Sequence, residues 1–247
     1  MLPRLIGHRG ARFEAPENTL SGFQYTRSLG ISSFELDVWI AKDGELVVHH
    51  DALVDRTTNG AGPVVNFTSK ELAKLDARAI HEQWPIQVGV PRLEDVLSAF
   101  SGDRELAWQI EIKSDIGERL DRVAPQLLEM VDRLGWHDQV VISSFDAGAL
   151  QRVRALDPDR ELAFIGKYDS RDDLKIALRL GCVCACIPIT TGSAEIVRAA
   201  RSEGLDVTGW PANSVEVIDT FIEWGATSLT TDVPALALKH YETLTSN

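Results

Sequence analysis

The stretch from Ser33 to Asp51, SFELDVWIAKDGELVVHHD, decides the fold. It holds two apolar runs, Ser33 to Ile40 and Glu45 to His49, separated by only a few residues around Asp43-Gly44. A connection that short makes a hairpin, because a parallel neighbour needs a crossover of roughly a dozen residues or more. Glu45 to His50 is therefore expected to return antiparallel along the preceding strand. A two-residue turn at Asp43-Gly44 would place His50 opposite Asp37. Glu35 and Asp37 are separated by one residue and so share one strand face.

Outward from this hairpin the chain repeats a short apolar run followed by a helical stretch, the rhythm of parallel strands joined by crossover helices. Strands are expected at Arg4 to His8, Ser33 to Ile40, Glu105 to Lys113, Val140 to Phe145, Glu161 to Gly166, Cys182 to Ile189, Leu205 to Trp210 and Thr227 to Asp232. With the return arm set aside these are eight strands, the number that closes an α/β fold of the TIM (β/α)8 barrel type. Helices are expected at Thr19 to Leu29, Ser69 to Leu75, Leu93 to Phe100 and Ile116 to Leu134, the last with Leu120, Val123, Leu127, Leu128, Val131 and Leu134 at helical spacing. Residues 51–92 break the rhythm with the Gly- and Thr-rich DRTTNGAGPVVNFT and the irregular HEQWPIQVGVP, and read as a small inserted subdomain after the second-strand hairpin. Nothing suggests a second independent domain, so residues 1–247 are read as one barrel domain.

Composition narrows the function. The 247 residues are 44% hydrophobic and 25% charged, enough for a full core, and 37 acidic against 25 basic side chains leave a formal charge of −12. That balance argues against a nucleic-acid binder that covers phosphates with Lys and Arg. No window reaches the roughly 20 apolar residues of a membrane span, and the start, MLPRLIGHRG, lacks the apolar stretch of a signal peptide. A cytoplasmic protein without stable membrane insertion is the expectation. Cys182, Cys184 and Cys186 alternate and, in a strand, would share one face. They are read as small interior residues, with a soft-metal site as the alternative.

Polar residues cluster at the C-terminal ends of the strands, where barrel enzymes keep their sites. His8-Arg9-Gly10 ends the first strand, Glu35-x-Asp37 lies on the second and Glu111-x-Lys113 on the strand near residue 110. Three carboxylates converging inside a barrel repel one another unless neutralised, which implies a hard divalent cation, calcium or magnesium. His8 and His50 are suited to act as acid and base on either side of a phosphate held there. Arg9 offers forked donors for phosphate oxygens and Lys113 a point charge, although either could simply pair with the acids.

These residues, in order, carry a resemblance. His8-Arg9-Gly10, Ala15-Pro16-Glu17-Asn18-Thr19, Glu35-Leu36-Asp37, the run from Asp43 to Asp51, Arg56-Thr57-Thr58 with Gly60, and Ile110-Glu111-Ile112-Lys113 closely resemble the glycerophosphodiester phosphodiesterase family. The resemblance continues through Ser143-Ser144-Phe145, Trp210 with Asn213, and Thr231-Asp232, and so covers nearly the whole chain. It implies a metal-dependent TIM barrel with an insertion after the second histidine. By motif, His8 and His50 match the acid–base pair and Glu35, Asp37 and Glu111 the metal ligands. Arg9 and Lys113 match positions associated with the phosphate, and Phe145 and Trp210 aromatic positions near the leaving side of the substrate. Glu17 and Asn18 are expected to orient the first-strand loop or cap the first helix.

The implied reaction is hydrolysis of a glycerophosphodiester to glycerol 3-phosphate and an alcohol, the nucleophile being water or the glycerol 2-hydroxyl. Relatives commonly carry W-T-V-N where this chain has Trp210-Pro211-Ala212-Asn213, and the segment from His81 to Pro91 matches nothing familiar. Both departures bear on which alcohol is released. Alternative readings are a lysophospholipase D or sphingomyelinase D-like phosphodiesterase, or a binding protein on the same barrel that has lost turnover.

Overall fold

The computed structural model describes residues 2–113 and 117–246. Its strands are β1 (Arg4–His8), β2 (Ser33–Ile40), β3 (Leu46–Val48), β4 (Ala107–Ile112), β5 (Val140–Ser144), β6 (Leu162–Ile165), β7 (Cys184–Pro188), β8 (Asp206–Trp210) and β9 (Ser228–Thr231). The α-helices are α1 (Leu20–Ser28), α2 (Ser69–Leu72), α3 (Leu93–Ala99), α4 (Gly117–Arg133), α5 (Ala147–Leu156), α6 (Asp172–Arg179), α7 (Ala194–Ser202), α8 (Val215–Trp224) and α9 (Pro234–Thr245). The expected start of α4 at Ile116 lies outside the described residues.

Eight strands close a parallel ring, β1–β2–β4–β5–β6–β7–β8–β9, because β1 pairs with both β2 and β9. β3 stands outside the ring, antiparallel on β2. The architecture is a TIM barrel. Alternation along β2 explains how one strand serves two cores. Phe34, Leu36, Val38 and Ile40 join the layer between ring and helices, where Phe34 and Phe23 pack on Trp108 with ring centroids 4.9 and 5.5 Å away. The other face carries Glu35 and Asp37 inside the ring, and past its rim Trp39 joins a small second core with Val47, Val54, Val64, Leu72 and Val90. This second core belongs to the 51–92 insertion, which is thereby seated on the hairpin at the C-terminal mouth.

Helix starts follow local chemistry. Thr19, Asp146, Ser193 and Ser214 each accept a backbone N–H in the first turn of α1, α5, α7 and α8, worth about 1 kcal/mol apiece. Thr19, and neither Glu17 nor Asn18, caps α1.

Two expectations are corrected. The hairpin turn has three residues, Lys42 to Gly44: Ala41 N–H donates to Glu45 O at 2.8 Å, and Gly44 closes the turn in the left-handed region at φ +89°. The register therefore slips by one and His49 N–H, not His50, meets Asp37 O, at 3.0 Å. In a continued strand this slip would turn His50 to the opposite face. The His49 bond is the last of the hairpin, however, and the chain then bends, with Trp39 Nε1 donating to His50 O at 3.1 Å.

The second correction concerns the cysteines. β7 begins only at Cys184, and Cys182 sits in the preceding turn with its N–H on Ala177 O at 3.0 Å. Cys182 joins the helix-facing layer, while Cys184 and Cys186 face the lumen with Ala163 and Ile165. All three are buried free thiols.

Candidate active site

Parallel register brings the acidic pairs together. Asp37 on β2 lies beside Glu111 on β4, and Glu35 beside His8 on β1. Oxygens of Glu35, Asp37 and Glu111 all lie within 4.8 Å of one another, and all three side chains are buried. Lys113 Nζ bridges two of them, 2.9 Å from Asp37 Oδ1 and 2.7 Å from Glu111 Oε1. Asp37 Oδ2 accepts from Asn18 Nδ2 at 2.8 Å and faces Arg9 Nε at 3.4 Å.

The charges are unevenly settled. Burial opposes ionisation of Asp37, but Lys113, Arg9 and His50 outweigh it and hold the carboxyl well below its ordinary range. Burial, with Asp37 and Glu111 adding like charge, pushes Glu35 well above the usual glutamate value. Burial and Asp37 push Glu111 up to about 7. Two of the three acids thus lack the positive charge their ionised forms require.

Each histidine has its Nδ1 on a carboxylate. His8 Nδ1 lies 2.5 Å from Asp232 Oδ1, and Asn213 secures that acid by donating to its Oδ2 at 2.6 Å and accepting its backbone N–H at 2.9 Å. His50 Nδ1 lies 2.7 Å from Asp51 Oδ1, and Arg56 Nε donates to Asp51 Oδ2 at 2.6 Å. With Nδ1 donating, each Nε2 is the nitrogen free for exchange; that of His8 is 3.8 Å from Glu35 Oε2. Burial lowers both imidazole pKa values, against the pull of Asp232 on His8 and Asp37 on His50.

Arg9 is buried in the left-handed region at φ 52°, a conformation that costs a non-glycine residue roughly 1–2 kcal/mol. What holds it is visible: its N–H donates to Glu35 Oε2 at 3.1 Å and its Nη1 to Glu17 Oε1 at 2.9 Å. Glu17 also accepts two bonds from Arg56, at 2.7 and 2.8 Å. A chain of charges therefore runs from Arg9 through Glu17 and Arg56 to Asp51 and His50, tying the insertion to β1. The segment from His81 to Pro91 does the same from outside, with His81 Nε2 2.9 Å from Arg12 O and Trp84 Nε1 donating to Ser21 Oγ at 2.8 Å.

These groups open into a cleft at the C-terminal mouth, lined by His8, Arg9, Glu35, His50, Glu111 and Lys113, and beyond them by Gln109, Cys186, Thr208 and Thr230. Phe145 and Trp210 form one wall, edge to face with centroids 5.9 Å apart. The structure thus brings all nine residues picked out in the sequence to one place.

The sequence profile described as the glycerophosphoryl diester phosphodiesterase family matches residues 8–236. The chain belongs to that family. A glycerophosphodiester phosphodiesterase of Caldanaerobacter subterraneus is 31% identical over 230 residues, covering 93% of this chain and 94% of the relative. Among solved structures, a Silicibacter pomeroyi protein named for the same activity superposes with a TM-score of 0.90 at 26% identity, covering 99% of this chain and 94% of that one. An Oleispira antarctica phosphodiesterase, solved in complex with the product sn-glycerol-3-phosphate, shares the fold with a TM-score of 0.89 at 23% identity, covering 98% of this chain and 97% of that one.

In this member of the glycerophosphoryl diester phosphodiesterase family, residues that sequence reasoning left without a role complete the site. Asp232, Asn213, Asp51 and Arg56 all stand inside quoted motifs, and only their contacts reveal what they hold. Of the two expectations for Asn18, orienting the first-strand loop or capping the helix, the contacts favour the first: its N–H donates to Arg9 O at 2.9 Å, and its side chain also holds Asp37.

Proposed function

We propose that this protein hydrolyses glycerophosphodiesters to glycerol 3-phosphate and an alcohol. Glu35, Asp37 and Glu111 would hold a divalent cation, calcium or magnesium, and His8 and His50 would be the acid–base pair, with the whole chain acting as one catalytic unit. The observation that carries this reading is the meeting of three buried carboxylates and two carboxylate-oriented histidines around one cleft. Hard oxygen donors suit such a cation. The upward displacement of Glu35 and Glu111 fits it too, because burial and like-charge repulsion both disfavour the ionised acids and a cation offsets both. The product bound to the Oleispira protein is the one expected here.

When bound, the cation supplies Lewis-acid stabilisation of charge on the phosphoryl oxygens. The protein's own groups do the rest. Arg9 and Lys113 lend positive charge beside the carboxylates. One imidazole, neutral, accepts a proton at Nε2 from the nucleophile, and the other, protonated on both nitrogens, gives its Nε2 proton to the departing alkoxide oxygen. Asp232 and Asp51 keep both rings in the tautomer this exchange needs. The nucleophile is water or the glycerol 2-hydroxyl: trapping a cyclic glycerophosphate decides for the hydroxyl, and one-step uptake of solvent oxygen with inversion at phosphorus decides for water.

The deciding experiment assays glycerophosphocholine, glycerophosphoethanolamine and lysophospholipids with calcium, with magnesium and with chelator. Metal-dependent release of glycerol 3-phosphate from the first two is expected. A specific observation supports lysophospholipids as a second substrate class: Phe13, Leu53, Ile86 and Phe145, all on segments that follow β1, β3 or β5 at the same mouth, are 48–58% exposed. Exclusive turnover of lysophospholipids would favour that second reading.

A further inference from the structure

Unlike His8, which ends a strand of the ring, His50 lies past the last bond of the hairpin, where the chain turns into the insertion. Its place is set by two contacts. Trp39 Nε1 donates to its carbonyl, and its ring rests on Asp51 Oδ1 at 2.7 Å. Asp51 is the next residue in the chain and its side chain is 28% exposed, so it steadies the imidazole only as far as it is itself steadied.

Arg56 supplies that hold. Its guanidinium uses three donors at once: Nε on Asp51 Oδ2 at 2.6 Å, and Nη1 and Nη2 on the two oxygens of Glu17 at 2.8 and 2.7 Å. Exposed ion pairs taken singly contribute little, but a fork on a carboxylate that is 3% exposed fixes direction as well as distance. The stem of Arg56 is fixed too. It rides on a turn in which the N–H and the hydroxyl of Thr58 both donate to Val54 O, at 3.1 and 2.8 Å, and Val54 and Thr57 on either side are buried.

We infer that Arg56 is a positioning residue for His50, so that the insertion takes part in the chemistry through one side chain. The inference rests on the acid–base reading above and deepens it. Neither Arg56 nor Asp51 lines the cleft, whereas His50 does, so their influence on the reaction passes through the imidazole. The other end of the fork leads through Glu17 to Arg9. Without Arg56, Arg9 keeps its contacts with Glu35 and Asp37, but the side chain of Asp51 keeps no hydrogen bond among the described residues except that to His50. Lysine cannot take the place of Arg56, because one ammonium lacks the fork that grips two acids in fixed directions.

The test places Arg56→Lys and Arg56→Gln in the wild-type and His50→Ala backgrounds. It measures kcat and KM for metal-dependent cleavage of glycerophosphocholine, and cation affinity by calorimetry. Each single variant should lose roughly 10- to 100-fold in kcat, because a slightly misplaced proton-transfer group is costly. KM and cation affinity should stay within a few-fold of the wild type. In the His50→Ala background the same changes should cost less than about twofold, since a residue that acts only through His50 has nothing left to position. Losses that multiply in that background overturn the inference, as does an Arg56→Lys protein with wild-type kcat. A general loosening of the fold lowers activity in both backgrounds and shifts KM and cation affinity, and so overturns it too. A fully active His50→Ala protein retires the acid–base reading together with this one, whereas an impaired His50→Ala protein with multiplying losses retires the inference alone.

Discussion

His8 Nδ1 lies 2.5 Å from Asp232 Oδ1, although 224 residues separate them. The contact forms because β1 closes the ring against β9, and Asn213 from the end of β8 fixes the acid. Asp232→Asn removes the charge and allows the ring to flip its tautomer, so kcat should fall by more than about tenfold with metal affinity retained. Asp51→Asn should cost less, because the Asp51 side chain is 28% exposed against 2% for Asp232, and water can take over its bond. Steady-state kinetics at saturating metal compare the two, and an equal or reversed order contradicts the assignment.

Metal ligation and proton transfer should separate by mutation. Glu35→Ala should abolish metal-dependent turnover and weaken cation binding in calorimetry. His50→Ala should lower kcat by about 10²–10⁴-fold while leaving cation binding within a few-fold of the wild type. A fully active His50→Ala protein removes His50 from the mechanism.

Metal binding should be legible in thermal unfolding. Glu111 has its folded pKa raised from 4.5 to about 7, so relative to an unshifted glutamate its contribution to stability is fully present below 4.5 and lost as pH rises through about 7. The cation-free protein should lose stability across that window. A bound cation competes with those protons, so the rise in Tm on adding calcium or magnesium should grow from pH 5 to pH 8. At about a hundredfold excess over Kd, the ligand contributes about 2.7 kcal/mol. A cation effect of constant size across this range counts against Glu111 as a ligand.

Gly7 is held by close approach. A Cβ there would sit 2.2 Å from Gly10 O and 2.8 Å from Thr26 Cγ2, between the His8-Arg9-Gly10 turn and α1. Gly7→Ala should displace that turn, lowering Tm and reducing kcat more than the same change at Gly117, where a Cβ would meet only the Arg152 guanidinium at 3.4 Å. Differential scanning calorimetry with kinetics checks both.

The barrel was legible because strands buried on both faces read as unbroken apolar runs bounded by turns, and those runs coincide with the strands to within two residues. The acidic cluster was legible for a related reason: Glu35, Asp37 and Glu111 interrupt apolar runs where an unpaired charge has no place. The register of β3 was not, since Asp43-Gly44 suits a two-residue turn as well as the three-residue one that formed. His50 reaches the cleft because the strand ends at Val48, an event set by Trp39 and by Pro91, whose carbonyl accepts Val48 N–H at 2.9 Å. Cys182 was misplaced by extending an alternation past the point where the strand begins. The partner of His8 was invisible because ring closure, and no local pattern, brings Asp232 to it.

That closure also sets when the molecule can work. The first strand leaves the ribosome early, yet its imidazole lacks its carboxylate until the last strand has been made and has docked. A growing chain, or one clipped before β9, therefore carries an imidazole without its acid, and the pair exists only once the seam between β1 and β9 has been sewn.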